Sequence, residues 1–281
     1  MRKRKSIVEF ILFIILLTGA MFMMIPMVYL ISYSLRPNSD IYQYPPTLFP
    51  GYYKLTFENY EYILSKSVNI FIYFKNSLIV GLVSMVLVAL MSSALAFVLS
   101  RYKFKGKEIF FLIIIATMII PGLELIIPQY QIAVRLKIIN RLSGLIPVYA
   151  AWMLPFSTFM IRGFVDNIPR EMDEAAYVDG ASPLKVYFGI ILPLMKPAIA
   201  AVSIFNFLTC WEEYGWAQTV ISSEKLRTIP IYIAGFFGRN NFTQYGYVFA
   251  ISFLSLVPII TIFITFQKYF ITGLMTGSVK G

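Results

Sequence analysis

The side chains of this chain that can do chemistry are few, and most are carboxylates in apolar surroundings. The sequence holds one cysteine, Cys210, and no histidine. The common zinc sites and a Ser-His-Asp triad are therefore excluded. A single cysteine closes no internal disulfide, and Cys210 in an apolar run reads as a small packing residue. Gly106-Lys107 lacks the upstream glycine of a G-x-x-x-x-G-K-S/T run, so no loop of this kind cradles ATP phosphates. Glu124 lies between Pro121 and Pro128, and Glu212-Glu213 follow Trp211 directly, with Asn206 one to two turns upstream. Carboxylates within apolar segments are costly and mark a solute path or an ion pair. Helical spacing puts 206, 209 and 213 on one face. An aromatic plane beside amides and carboxylates suits a polyhydroxylated solute. Glu124, Asn206, Trp211, Glu212 and Glu213 are thus candidates to line a path. The same residues also suit hydrogen bonds between packed helices, and Glu124 also suits a watery outer mouth. No nucleophile-base pair or metal cluster is evident, so neither a catalytic residue nor a bound cofactor is expected.

The elements that must position these groups are membrane helices. The chain has 281 residues, 58% hydrophobic and 14% charged, and its mean hydropathy is +0.73. Soluble domains carry about 25% charged residues, and a wet surface for this composition cannot be built at this length. The net charge of +10 falls in short clusters between apolar runs, a pattern of membrane topology rather than of a nucleic-acid-binding face. Six spans are expected, at about 7–31, 71–99, 108–128, 144–164, 198–221 and 244–270, within one domain covering 1–281. The first is basic at its start and reads as uncleaved, since it is too long for a signal peptide and lacks an A-x-A site. Ala89/Ser93 and Ser92/Ala96 put small residues four apart, which lets helix backbones approach closely in lipid. Pro121-Gly122 breaks the third span. With both termini inside, fourteen of the twenty-four Lys and Arg fall in inside segments, a modest positive-inside bias. Arg135, Lys137 and Arg141 fall outside on this topology and fit an interfacial helix with snorkelling cations.

The segment 165–197 is too polar to span. Asn167 is placed to cap a helix, with Pro169 in its first turn. Glu171, Asp173 and Glu174 then lie where the helix dipole favours carboxylates. Gly180 ends that helix, and Ser182-Pro183 starts a second one as N-cap and first helical residue. The pattern predicts a stiff helical hairpin under the membrane.

Glu174-Ala175-Ala176 is followed at fixed spacing by Gly180, Ile190, Leu192 and Pro193. This E-A-A-x3-G-x9-I-x-L-P string resembles the EAA signature of ABC importer permeases. Phe57-Glu-Asn-Tyr60, Asn76-Ser77, Ile168-Pro169, Asp179-Gly180-Ala181, Trp211 and the tail Gly273–Gly281 are similar to the maltose-type sugar permeases, across nearly the whole chain. Two positions depart from that family: Glu212-Glu213 stand where Asn and an acidic residue are common, and Ala217 stands where Pro is frequent.

The resemblance implies an all-α membrane protein of the bacterial or archaeal cell membrane, with cytoplasmic termini. It implies a coupling hairpin in which Glu174, Ala175, Ala176, Asp179, Gly180, Leu192 and Pro193 meet a separate ATPase dimer, which carries the ATP and Mg. A second, homologous permease and an extracytoplasmic sugar-binding protein complete the partners, and the loop 222–243 enters the binding protein's cleft. The alternative is a self-contained secondary transporter of a small polar solute, for which Glu124 and Pro121 give some support. Six spans without an evident repeat count against it.

Overall fold

The computed structural model describes residues 2–42, 44, 55–65, 69–120, 122–237 and 244–278. The expectations at Pro121, at the prolines of 45–50, at 238–243 and for the last three residues lie outside these. No strand occurs among the described residues. Where lipid replaces water, the backbone must satisfy its own polar groups, and a helix does so locally. Labelled in chain order, the helices are α1 (Arg2–Ser34), α2 (Glu58–Leu64), α3 (Ile70–Arg101), α4 (Lys107–Ala116), α5 (Ile126–Arg135) and α6 (Ile146–Val165). They continue with α7 (Glu171–Val178), α8 (Pro183–Leu194), α9 (Lys196–Glu212), α10 (Gly215–Val220), α11 (Ile229–Ala234) and α12 (Tyr245–Ser278).

Among the described residues, four helical segments are long and apolar enough to cross a membrane, at Val8–Ser34, Ile70–Arg101, Leu142–Val165 and Tyr245–Gln267. A fifth candidate is the pair α8 and α9, bent by 72°. The expected third span is not one helix. Its ten-residue α4 gives way to 3-10 turns at Thr117–Ile119 and Gly122–Leu125 before α5 starts. Ten residues rise only about 15 Å, half of a hydrocarbon core of about 30 Å. The fifth expected span is also shorter than the sequence suggests, ending at Glu212 rather than near 221.

Packing divides the chain into two units, Met1–Ile70 with Ile233–Val257, and Phe71–Tyr232 with Pro258–Gly281. In the first unit, α1 is exposed from Val8 to Pro26, as befits a helix apolar all round in lipid. Its end turns back through the buried Asn59 of the Phe57–Tyr60 motif. Asn59 donates to Ser34 O at 2.9 Å and Arg36 O at 2.7 Å and accepts from Asn38 Nδ2 at 3.1 Å. Asn38 in turn accepts from Gly246 N at 2.9 Å. Tyr62 stacks on Tyr247 with centroids 4.1 Å apart.

The second unit has two buried clusters. One joins Val80 and Val88 of α3, Tyr149 and Met153 of α6, Cys210 of α9 and Trp216 of α10. Cys210 packs against Met153 there, in the role its apolar surroundings predict. The other joins Ala96 and Phe97 of α3, Ile161 and Val165 of α6, Val186, Tyr187 and Ile191 of α8, and Ala198 and Val202 of α9. The same three long helices, α3, α6 and α9, thus build both clusters. Buried Ser92, Ser93 and Ala96 allow the close approach their spacing predicts. Arg162 of α6 bridges to α4 through Glu108 at 3.0 Å and lies 3.9 Å over the ring of Phe111.

Candidate functional site

The hairpin 165–197 is built largely by local rules. Helix α7 starts at Glu171, later than the Asn167 capping site. Asn167 instead donates to Gly163 O at 2.7 Å and so closes the end of α6. At the far end of α7, Ala181 N donates to Ala176 O at 2.9 Å and Gly180 N to Tyr177 O at 3.0 Å. These two bonds are the Schellman pattern. Gly180 has φ +76°, a left-handed conformation that costs about 1–2 kcal/mol in residues with a Cβ. Ala176 and Ala181, the positions flanking that pattern, pack together on the inner cluster. Ser182 Oγ then accepts from Lys185 N at 3.3 Å, with Pro183 at the first helical position. A π-turn at Tyr187–Ile191 follows, and Tyr187 reaches back to Ser93 of α3 with oxygens 2.8 Å apart.

Two faces result. Glu174, Ala175, Asp179 and Gly180 are exposed, as is Pro193. Ala176 and Leu192 are half-buried and pack on the inner cluster. The signature therefore divides into residues that present a surface and residues that hold it.

The holding is completed by polar groups that sequence reasoning passed over. Asp173 is buried, and its carboxylate pairs with the guanidinium of Arg101 at the end of α3. Arg101 also donates to Ile168 O at 3.0 Å, Arg170 donates to Ser100 O at 3.1 Å, and Ser100 donates to Asp166. Burial pushes the Asp173 carboxyl above the usual range, outweighing the opposing pull of Arg101. The ion pair is therefore a positional tie rather than a large source of stability. The Tyr177 hydroxyl is pushed up to about 12, first by its bond with Tyr102, whose oxygen is 3.3 Å away, and then by burial. Between these ties an open cleft of about 270 Å³ is bordered by Arg101, Tyr102, Arg170, Glu174, Tyr177 and Pro183. The only signal in the sequence was Asp173 itself, a carboxylate beside the signature. Its partner lies seventy-two positions upstream.

The expected path residues do not share one surface. Asn206 is buried and donates to Ser157 Oγ of α6 at 3.0 Å. Trp211 is also buried, stacked on Phe207 with centroids 5.5 Å apart and tilted against Phe74 of α3. Both are spent on packing between helices. Glu213 is not on the helical face of 206 and 209, because α9 has ended and its backbone is extended, with φ −68° and ψ 126°. Its carboxylate accepts from Trp216 N at 2.7 Å, Ala217 N at 3.0 Å and the Tyr149 hydroxyl. It thus closes the first turn of α10. Glu212 and Glu124 are exposed. No cluster of His, Cys, Asp and Glu able to hold a metal occurs among the described residues.

A second polar set holds the segment after α10. Asn140, at φ +55°, accepts from Ser222 N at 3.2 Å and Ser223 N at 2.8 Å. Asn76 donates to Lys225 O and Arg227 O, both at 2.9 Å, and Ser77 Oγ accepts from Ile229 N at 2.9 Å. The Asn76-Ser77 pair of the sequence thus fastens this segment to the start of α3.

The membrane-length helices define an integral membrane protein that presents a helical hairpin. The chain belongs to the family of binding-protein-dependent transport system inner membrane components, whose model matches residues 86–275. It is 33% identical over 283 residues to the arabinooligosaccharides transport system permease protein AraQ of Halalkalibacterium halodurans, covering 100% of this chain and 99% of that one. It is 33% identical to the trehalose/maltose transport system permease protein MalG of Thermococcus litoralis, covering 82% and 83%. It is 34% identical to the melibiose/raffinose/stachyose import permease protein MelC of Bacillus subtilis, covering 74% and 75%. A crystal structure of a bacterial ABC transporter involved in import of the acidic polysaccharide alginate shares the fold, with a TM-score of 0.78 at 22% identity over 94% of this chain and 97% of that one. Membership of this family counts against the self-contained secondary transporter.

Proposed function

We propose that this chain is one of two homologous membrane subunits of an ABC importer that carries a sugar or oligosaccharide inward. An extracytoplasmic binding protein delivers the sugar, and an ATPase dimer drives its movement. The carrying observation is the hairpin: Glu174, Ala175, Asp179 and Gly180 stand on its exposed side, while Asp173, Ala176 and Leu192 fix its back. That rigid surface is suited to a cleft on the ATPase. In this reading both termini and the hairpin are cytoplasmic. The bent α8–α9 pair supplies the fifth crossing, and α4 with α5 the broken one that makes six. The sugar class rests on what the relatives are named for. Glu124 and Glu212 remain candidates to meet the sugar, while Asn206, Trp211 and Glu213 hold the wall behind them. The exposed apolar sides of α1 and α4 meet lipid or the second permease.

The test is co-purification of the ATPase with Gly180→Asp, placed in the full complex. The expected result is normal membrane insertion with loss of the ATPase. Retention of the ATPase at the unmodified ratio overturns the docking role of the hairpin.

A further inference from the structure

The structure ties the presented hairpin to one transmembrane helix through polar contacts. The end of α3 holds α7 and its lead-in by four interactions from two residues, Ser100 and Arg101. Arg101 pairs with Asp173 and donates to Ile168 O at 3.0 Å, Ser100 donates to Asp166, and Arg170 donates to Ser100 O at 3.1 Å. About two turns earlier on α3, Ser93 meets Tyr187 of α8 at 2.8 Å. Arg101 and Asp173 are both shielded, with side chains 6% and 7% exposed. An ion pair so placed is an expensive way to gain stability, because desolvation offsets most of its attraction. What it does supply is direction. The guanidinium fixes a direction through its donation to Ile168 O, and its charge contact with one Asp173 carboxylate oxygen holds α7 at a set distance where apolar contacts fix neither. To α6 and α9 the hairpin is joined by the chain itself, by the Asn167 bond to Gly163 O and by apolar packing against Ile161, Val165 and Val202. The polar contacts to α3 are the ones that reach a helix distant in the chain.

We infer that Arg101 and Asp173 are positioning residues that pass displacement of the hairpin into α3, so that α3 moves as a body with α7 during the ATP cycle. This rests on the proposed docking of the hairpin on the ATPase. It goes beyond it by naming the helix that receives the movement and the side chains that convey it. Neither residue lies on the exposed side of α7, so neither is required for docking itself. The two roles are therefore separable by mutation.

The experiment uses the complete complex in lipid nanodiscs, with ATP and vanadate as the probe and no sugar required. Spin labels at Lys75→Cys on α3 and Ala151→Cys on α6, both exposed positions, report the distance between the two helices with and without vanadate trapping. The buried Cys210 is left in place. The unmodified complex is expected to show a trapped-state shift. The double variant Arg101→Met/Asp173→Met removes both charges together and so leaves neither one buried alone. It is expected to keep the ATPase bound and trap nucleotide while losing at least half of that shift. The milder Ser100→Ala/Tyr102→Phe pair leaves every charge in place and guards against misfolding of the first variant. It is expected to lose a measurable part of the shift. An unchanged shift in both variants, or no shift in the unmodified complex, overturns the inference. Gly180→Asp serves as the separate control. Retained ATPase in that variant refutes the docking role, whereas ATPase lost from the Met/Met and Ala/Phe variants refutes the separation claimed here.

Discussion

Replacing Glu213 separates two roles for the most suggestive carboxylate of the sequence. Its oxygens accept from Trp216 N at 2.7 Å, Ala217 N at 3.0 Å and the hydroxyl of the buried Tyr149. Hydrogen bonds to a charged acceptor contribute about 1.5–3 kcal/mol each, and stranding a buried donor costs about 1–3 kcal/mol. The three bonds share one carboxylate and do not add fully. Glu213→Ala should therefore destabilise by roughly 3–5 kcal/mol, given these values and the loss of a helix cap worth about 1 kcal/mol. Glu213→Gln keeps an oxygen for one backbone N–H, and the Tyr149 hydroxyl can turn to accept from the new amide. One donor loses its acceptor, for a cost of about 1–2 kcal/mol. Tyr149→Phe removes a single bond and should cost a similar amount. The double variant Tyr149→Phe/Glu213→Gln should then fall short of the sum of its parts by at least about 0.5 kcal/mol. The assay is the apparent melting midpoint of the detergent-purified complex by fluorescence-detected gel filtration, beside uptake in proteoliposomes. The expected order of stability is unmodified, then Gln, then Ala, with uptake following stability. An unchanged midpoint in Glu213→Ala together with abolished uptake refutes the capping role and returns the carboxylate to the path.

Three further outcomes follow from the same geometry. Asn59→Ala removes two donated bonds and one accepted bond at a buried site and should cost about 2–4 kcal/mol, read as a lower melting midpoint and yield. Gly246→Ala should act at the same junction, since its Cβ would lie 2.6 Å from Asn59 Oδ1, at about 1–3 kcal/mol. Asn76→Ala frees the carbonyls of Lys225 and Arg227 and should raise tryptic cleavage at these residues by roughly tenfold, as expected for a segment whose local opening becomes easier by about 1.4 kcal/mol. Unchanged cleavage would show that Asn140 and Ser77 hold the segment alone.

What was legible in the sequence was local. The hairpin could be read because Gly180 and Ser182-Pro183 state their own conformations, and the structure places a Schellman turn and an N-cap at those positions. What was not legible depended on partners far away in the chain. Glu213 was assigned to a helical face because neither Pro nor Gly marks the end of α9. The chain leaves the helix at a carboxylate that Tyr149, sixty-four residues upstream, helps to hold. Asp173 looked like one of three carboxylates favoured by a helix dipole, yet it alone of the three is buried, and the reason is Arg101. The broken crossing is half legible: Pro121-Gly122 announces a break, but its extent follows from α4 ending already at Ala116. Trp211 and Asn206 were legible as special residues but not as inward-facing ones, since periodicity does not say which side of a membrane helix meets protein.

The two polar fastenings of the larger unit lie at opposite ends of one helix. Asn76 and Ser77 hold the 222–229 segment at the start of α3, and Ser100 and Arg101 hold the hairpin at its end. Twenty-five residues of helix separate Asn76 from Arg101, about 37 Å at 1.5 Å per residue, which is longer than the hydrocarbon core of about 30 Å. Between these ends α3 contributes small or apolar buried side chains, among them Val80, Ser84, Val88, Ser92 and Ala96. Directional contacts at the start of α3 and over its last turns, from Ser93 onward, with non-directional packing between them, are what a strut requires. Its ends must follow what they hold, and its shaft must be free to shift against its neighbours. A movement imposed on the hairpin would then reach the 222–229 segment without bending any helix. Asn76→Ala should accordingly leave the vanadate-dependent shift at Lys75 intact while detaching that segment from it. Arg101→Met/Asp173→Met should reduce both movements together, each by at least half.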